Sequence, residues 1–289
     1  MPVAVIDIGT NTTRLLVAER EDAEVVELER RTIITRLGQG VDATGRLADE
    51  AMDRVAEAIA GYREVIDRLR AERVVAVATS AMRDAANGPA FRDYLKEKYG
   101  VDARTISGDE EARLTFLGAT AGRNDDRDTV VIDIGGGSTE YVVGRAGEDP
   151  SFHASTQMGS VRHTERFLPS DPPKQDELQA LAEDVRRTVP DVSAGHAIAV
   201  AGTATSLAAI DGADEPHGYR LGLAACERIT AMLAALPVEE RRNVRGLHPD
   251  RAPTIVVGAV ILTESIRALG LDLAEVSDRD LMHGAAQLA

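Results

Sequence analysis

The stretch Asp133-Ile134-Gly135-Gly136-Gly137-Ser138-Thr139-Glu140 joins the apolar segment Thr129–Ile134 to a second one, Glu140–Gly144. A strand, a glycine turn and a returning strand are therefore expected. Three consecutive glycines can take positive φ and bring bare backbone N–H groups close to a ligand. Such a nest, flanked by the Ser138 and Thr139 hydroxyls, suits phosphate oxygens. Asp133, at the strand end, can hold a divalent cation directly or through water. An ordinary hairpin needs neither three glycines nor an acid before them and Ser-Thr-Glu after them.

The same design occurs near the start as Asp7-Ile8-Gly9-Thr10-Asn11-Thr12-Thr13, with hydroxyls and an amide replacing two glycines. Alone it would be a common turn, but as a partner of the second copy it indicates a duplicated architecture. Two homologous lobes would set the turns face to face across a cleft, a favoured place for a ligand.

Around these turns the pattern is α/β. The segments Val3–Ile8, Leu15–Glu19, Glu24–Glu29 and Thr32–Leu37 predict an antiparallel meander with polar turns between strands. Met52, Val55, Ala56, Ile59, Ile66 and Leu69 recur at helical spacing and predict a helix over 48–70. A strand at Val74–Ala78, a helix at Phe91–Lys98, a strand at Ala103–Ile106 and a helix from Gly108 to about Ala121 complete the first half. The polar run from Gly122 to Asp128 is the expected boundary. It divides the chain into an N-terminal domain, 1–121, and a C-terminal domain, 122–289. Beyond it, strands are expected at Phe152–Met158, Ala197–Ala201 and Leu273–Val276, with helices at Ser160–Phe167 and Asp176–Thr188. A last helix, about 278–289, is expected to pack back on the first domain.

At 289 residues, 44% hydrophobic and 28% charged, the chain is in the globular range. A single cysteine, Cys226, excludes an internal disulfide framework and fits a reducing compartment; it reads as a small packing residue. Met-Pro-Val-Ala-Val-Ile-Asp meets an acid too early for a signal peptide, and no apolar run approaches the ~18 residues of a membrane span. The expectation is a cytoplasmic protein. A formal net charge of −15 argues against wholesale binding of nucleic acid or anionic membrane, and it demands a local basic path for any polyanionic substrate.

In Ile106-Ser107-Gly108-Asp109-Glu110-Glu111-Ala112-Arg113, Ser107 and Glu110 have capping-box spacing, which leaves Glu111 without a structural partner. A first-turn carboxylate also complements the helix dipole. Lying near the boundary, Glu111 could instead orient and deprotonate an attacking water. His153, His163, His196, His217, His248 and His283 show no metal spacing. His217-Gly-Tyr-Arg220 reads as a loop, and Glu239-Glu-Arg241-Arg242-Asn-Val-Arg245 as a solvated helix face.

Taken in order, Asp7-Ile-Gly-Thr-Asn11, Ser80-Ala-Met-Arg83-Asp-Ala, Ile106-Ser-Gly-Asp-Glu-Glu-Ala-Arg113 and Val131-Ile-Asp-Ile-Gly-Gly-Gly-Ser-Thr-Glu140 resemble the Ppx/GppA family, exopolyphosphatases and guanosine pentaphosphate phosphohydrolases. The likeness continues through Gln157–Arg162, Ala201–Thr205 and Val257–Ala259. It implies two actin-like (ribonuclease H-like, ASKHA superfold) domains flanking a central cleft. By this resemblance Glu111 activates the hydrolytic water, and Asp133 with Asp7 and Glu140 surrounds Mg²⁺ (or Mn²⁺). Asn11, Thr12, Gly135, Gly136, Gly137 and Ser138 cradle phosphates, and Arg83 grips the phosphate chain. The implied reaction is metal-dependent removal of the terminal phosphate from polyphosphate, with guanosine pentaphosphate as a second substrate. The expected partners are those substrates, no nucleic acid and no membrane, with a homodimer allowed. The chain ends where the two domains of longer relatives end, so a preference for short polyphosphate is expected.

Two alternatives compete. An ATP-dependent kinase or ATPase of the same superfold would place adenosine at Gly202-Thr203-Ala204 and at a turn over Val257-Gly258-Ala259, where one glycine makes a poor adenine floor. A non-catalytic sensor of polyphosphate or an alarmone would need no water-activating carboxylate.

Overall fold

The computed structural model describes residues 1–21, 24–123 and 126–289. By contact the chain divides into two units, Met1–Gly122 with Leu281–Ala289, and Arg123–Asp280. Part of the expected boundary, residues 124 and 125, lies outside the described residues, as do residues 22 and 23.

The first unit contains strands β1 (Val3–Ile8), β2 (Thr12–Glu21), β3 (Glu24–Ile34), β4 (Arg73–Ala78) and β5 (Ala103–Thr105) in the order β3-β2-β1-β4-β5. The β1–β2 and β2–β3 pairs are antiparallel, and β4 and β5 extend the sheet in parallel. Its helices are α1 (Val41–Thr44), α2 (Asp49–Arg68), α3 (Ser80–Asp84), α4 (Gly88–Tyr99) and α5 (Gly108–Ala119). β1 is buried on both faces, and the strand period of two sorts its side chains. Ala4, Ile6 and Ile8 join Val55, Ile59, Tyr62 and Ile66 of α2. Val3 and Val5 join Leu114 of α5 together with Leu281, Met282 and Ala285.

The second unit repeats this plan. Strands β6 (Thr129–Ile134), β7 (Thr139–Gly144), β8 (Phe152–Thr156) and β9 (His196–Val200) follow α5. Later come β10 (Arg220–Gly222) and β11 (Leu273–Val276). The order is β10-β11-β9-β6-β7-β8, so β6, β7, β8, β9 and β11 stand where β1, β2, β3, β4 and β5 stand in the first sheet. β6 pairs antiparallel with β7 and parallel with β9, as β1 does with β2 and β4. The accompanying helices are α6 (Ser160–Phe167), α7 (Gln175–Thr188), α8 (Ala201–Asp211), α9 (Leu223–Ala234), α10 (Val238–Arg241) and α11 (Ile255–Ala268). Both units are α/β with a mixed sheet, the actin-like arrangement.

Three local expectations change, and the packing role expected of Cys226 holds. The segments Glu24–Glu29 and Thr32–Leu37 form one strand, β3, paired along β2, with a bulge at Val17/Ala18. Arg30 and Arg31, read as a turn, are accommodated in the strand by ion pairs to Glu27 and Glu29. The three-residue β10 is too short to show a period and is held by its antiparallel ladder to β11. Arg241 is not on a solvated face. It is buried and donates to the Leu236 and Ala252 carbonyls at 2.7 and 3.0 Å and to Asp171 at 2.7 Å. Cys226 is a buried core residue in α9, its thiol pushed up to about 12 by burial.

The last helix, α12 (Leu281–Leu288), packs on α5, β1 and β2. His283 Nε2 lies 2.9 Å from Glu27 Oε1, and this hydrogen bond is the main cause holding the Glu27 carboxyl below its usual range. Gly284 meets α5 so closely that a Cβ there would lie 1.9 Å from the Leu114 carbonyl oxygen. Overpacking of this kind costs about 1–3 kcal/mol. Gly284→Ala should therefore lower the melting temperature measurably, and because α5 carries Glu111 it should lower activity as well. A variant with wild-type melting and activity would show that α12 does not set the position of α5.

Candidate active site

In the first unit the strand β1 ends at Asp7-Ile8 and turns back within four residues, closed by Gly9 N–H donating to the Thr12 carbonyl at 2.9 Å. The Asn11 carbonyl accepts from the N–H groups of Thr35 and Arg36, and the Thr10 carbonyl from Gly38, which ties the turn to the chain leaving β3. Asp7 lies opposite Arg14 in the β1–β2 register. Arg14 Nε and Nη2 donate to Asp7 Oδ2 at 2.8 and 2.6 Å. Asn11 is buried and Thr12 half-buried.

α3 starts at the end of β4, and the Thr79 N–H donates to the Ile8 carbonyl, which places α3 beside the Asp7 turn. From α3, Arg83 Nη1 donates to the Ile106 carbonyl at 2.9 Å and to Glu111 Oε2 at 3.3 Å. Two residues expected to act on phosphate and on water therefore touch. Glu111 is 8% exposed and sits in the first turn of α5, where the helix dipole favours a carboxylate. Ser107 caps this helix by accepting from the Glu110 N–H at 3.2 Å. The reciprocal half of the expected capping box is replaced, because the Glu110 carboxylate is drawn to a bidentate pair with Arg104. Charge-assisted bidentate pairing is stronger than a bond to a neutral N–H. Glu111 likewise has a partner, Arg83, which fixes its direction.

In the second unit Gly135 N–H donates to the Ser138 carbonyl at 3.0 Å, the same closure as in the first turn. None of Gly135, Gly136 and Gly137 takes a positive φ, contrary to expectation. The glycine that close approach requires is Gly159 instead. A Cβ on Gly159, the residue before α6, would lie 2.4 Å from the Gly136 carbonyl oxygen and 2.5 Å from the Gly137 carbonyl carbon. This contact lets the first turn of α6 reach the loop. Ser160 N–H donates to the Gly135 carbonyl at 2.9 Å, and Val161 and Arg162 N–H to the Gly136 carbonyl at 2.8 and 3.1 Å. Arg162 Nε donates to the Gly137 carbonyl at 2.8 Å.

The planar trans peptide then fixes where the donors go. A carbonyl and the N–H of the next residue point to opposite sides of one peptide. With the carbonyls of 135, 136 and 137 held toward α6, the N–H groups of Gly136, Gly137 and Ser138 are turned away from it. Successive N–H groups so directed form a cradle for an anion. Gly159 and Arg162 were quoted in sequence only as part of a family match. A glycine just before a helix start carries no sign of the loop it must approach.

Asp133 and Glu140 stand directly opposite each other across the β6–β7 ladder, 8% and 1% exposed. Glu140 Oε1 accepts from Ser155 Oγ at 2.8 Å. Like charges directly opposed on a sheet are unfavourable, and buried carboxylates need compensation. The pair thus fits a divalent cation. Among the described residues no three His, Cys, Asp or Glu side chains form a metal cluster. Two carboxylates suffice for Mg²⁺, which keeps several waters and takes substrate phosphate oxygens.

The expected adenosine positions differ from those of a nucleotide site. Val257-Gly258-Ala259 lies within the buried helix α11, not in a turn, and a Cβ on Gly258 would meet Thr203 Oγ1 at 2.5 Å. The Arg251 guanidinium covers Gly202, where a Cβ would lie 2.0 Å away.

The chain belongs to the Ppx/GppA phosphatase family, whose profile matches residues 16–286. It is 38% identical to exopolyphosphatase 2 of Mycobacterium tuberculosis, over 98% of this chain and 97% of that protein. The crystal structure of the Aquifex aeolicus Ppx/GppA family member superposes with a TM-score of 0.84 at 30% identity, covering 100% of this chain and 97% of that one. An exopolyphosphatase from Cytophaga hutchinsonii superposes with a TM-score of 0.90 at 27% identity, covering 98% and 96%. Among the described residues no helix is long and apolar enough to cross a membrane.

Two outcomes follow from the α6 contacts. Gly159→Ala should push the glycine loop off α6, and a displacement near 1 Å costs on the order of 100-fold in rate. Retention of full phosphatase activity would show that the loop is held by other means. His163, on the same helix, is buried with Nε2 3.2 Å from Asp184 Oδ2 of α7. Burial holds its imidazole below the usual histidine range in spite of Asp184. A histidine kept neutral by the fold contributes stability above its unfolded value, near about 6.5, and loses it as pH falls. Relative to His163→Gln, the wild-type melting temperature should drop between about pH 7 and about pH 5; parallel curves would refute the assignment.

Proposed function

We propose that this protein is an exopolyphosphatase that uses a divalent cation, Mg²⁺ or Mn²⁺, to hydrolyse the terminal phosphoanhydride of inorganic polyphosphate and release orthophosphate. The observation that carries the reading is Glu111, a nearly buried carboxylate whose direction is set by Arg83. The relatives named exopolyphosphatase support the choice of substrate.

In this mechanism the N–H groups of Gly136, Gly137 and Ser138 receive oxygens of the phosphate chain. The Asn11 and Thr12 side chains contribute further donors from the Asp7 turn. Arg83 binds a phosphate oxygen while keeping Glu111 aimed. Glu111 accepts a hydrogen bond from the attacking water and takes its proton as the water oxygen bonds to the terminal phosphorus, while the bond from that phosphorus to the bridging oxygen breaks and the electron pair leaves with the shortened chain. Asp133 and Glu140 would hold the divalent cation, which would supply charge neutralisation at the phosphate oxygens. Phosphoryl transfer through a loose transition state asks the protein chiefly for position and electrostatics, and these residues provide both. The burial of Val257-Gly258-Ala259 and the cover of Arg251 over Gly202 weigh against a kinase or ATPase.

Glu111→Gln keeps the shape of the side chain and removes its basicity. Phosphate release from polyphosphate with Mg²⁺ should fall by about 10²–10⁴-fold, with little change in KM. Guanosine pentaphosphate and ATP, assayed alongside, rank the substrates. Unchanged hydrolysis by the variant would remove Glu111 from its role, and polyphosphate binding without turnover by the wild type would make the protein a sensor.

A further inference from the structure

α3 is five residues long, a single turn that begins where β4 ends and carries Arg83 one place from its own end. A helix this short costs more to nucleate than its internal hydrogen bonds return, so its conformation is set by what holds its two ends. The start is held by the Thr79 N–H, which donates to the Ile8 carbonyl at 3.2 Å. The other end runs into a corner at Ala85, Ala86 and Asn87 before α4 begins at Gly88. Ala86 N–H donates to the Gly45 carbonyl at 2.9 Å. Asn87 Oδ1 accepts from the Leu47 N–H at 2.8 Å, and Asn87 Nδ2 donates to the Leu47 carbonyl at 3.0 Å. The corner is thus tied to the chain between α1 and α2.

At Gly88 the corner closes on α3 itself. A Cβ there would lie 2.2 Å from the Met82 carbonyl oxygen and 3.1 Å from its carbon. That carbonyl belongs to the peptide that enters Arg83, so moving it tilts the planar unit on which the Arg83 side chain is mounted. Gly88 does not take a positive φ, so room is the reason for glycine at this position.

Distances decide what a side chain at 88 would do. A Cβ keeps at least about 3.0 Å from such an atom, so alanine would part α4 from α3 by about 0.8 Å. With five residues against twelve in α4, α3 is the element that yields. Arg83 has little slack to absorb the change. Its Nη1 donates to the Ile106 carbonyl at 2.9 Å and to Glu111 Oε2 at 3.3 Å. A separation of about 3.6 Å is no longer a hydrogen bond, so a displacement of about 0.3 Å suffices to release Glu111.

We propose that Gly88 is a positioning residue of the active site, the seat that fixes α3 so that Arg83 reaches Glu111, with Asn87 anchoring the same corner. The inference rests on the roles given to Arg83 and Glu111 under the proposed function. Its consequence is a loss of activity transmitted through Arg83.

The test is a double-mutant cycle on polyphosphate hydrolysis with Mg²⁺. On the full chain, kcat and KM are measured for Gly88→Ala, Arg83→Ala and the two combined, and melting curves establish that each variant is folded. Gly88→Ala alone should lower kcat/KM on the order of 100-fold, the cost of misplacing a site group by about 1 Å. Added to Arg83→Ala, it should lower kcat/KM by no more than about 2-fold, because the contact it disturbs is already gone. Asn87→Ala loosens the corner instead of crowding it; it takes the place of Gly88→Ala if that variant does not fold, and should show the same pattern. Wild-type kcat/KM in the folded corner variant would overturn the inference. So would an equal fractional loss with and without Arg83, since general damage to the fold cuts both backgrounds alike. Hydrolysis at the wild-type rate by Arg83→Ala would instead remove Arg83 from the reaction and overturn the functional reading, and the inference with it.

Discussion

The site depends on the capture of three glycine-loop carbonyls by the first turn of α6. A helix start carries N–H groups with no intrahelical acceptor. Here Ser160, Val161 and Arg162 spend theirs on the carbonyls of Gly135 and Gly136, and the Arg162 side chain takes Gly137. Peptide planarity then leaves the loop N–H groups on the opposite side. In this arrangement the helix donors are taken up by the loop; the helix orients the segment to which the proposed mechanism assigns the phosphate. Gly159 is the geometric condition, since a side chain there would occupy the space of the loop backbone.

The first unit organises its turn by related means with different parts. Carbonyls of Thr10 and Asn11 accept from the chain leaving β3, not from a helix. The duplicated frame supplies turn geometry in both units, while charge is distributed asymmetrically. This bears on how a chain of net charge −15 can serve a polyanion. Screening limits surface charge to about 8 Å at physiological ionic strength. In the proposed mechanism fixed side chains and backbone N–H groups meet the substrate at short range, so local polarity can oppose the average.

Much of the fold was legible because strand and helix periods survive in an apolar sequence. β1 and β6 are continuous buried runs, and α2 shows a helical stripe. Features decided by partners distant in sequence were not legible. Arg30 and Arg31 look like a turn until β2 supplies a ladder for the whole of β3. Glu110 looks like a capping partner until Arg104 offers a stronger one. Arg241 looks solvated until Asp171 and the Ala252 carbonyl enclose it.

The sequence by itself determined the family, the duplicated Asp-Ile-Gly turns and the residue types available for phosphate chemistry, because turn chemistry and acid placement are local properties. Only the tertiary structure decided what surrounds those turns. It showed that the three glycines take no left-handed backbone and that Gly159 packs against two of them, that Arg83 bonds Glu111, and that Asp7 and Asp133 have neighbours of opposite charge. Each of these results depends on which atoms the fold brings within a few ångströms, and hydrogen bonding and charge compensation act only at that range.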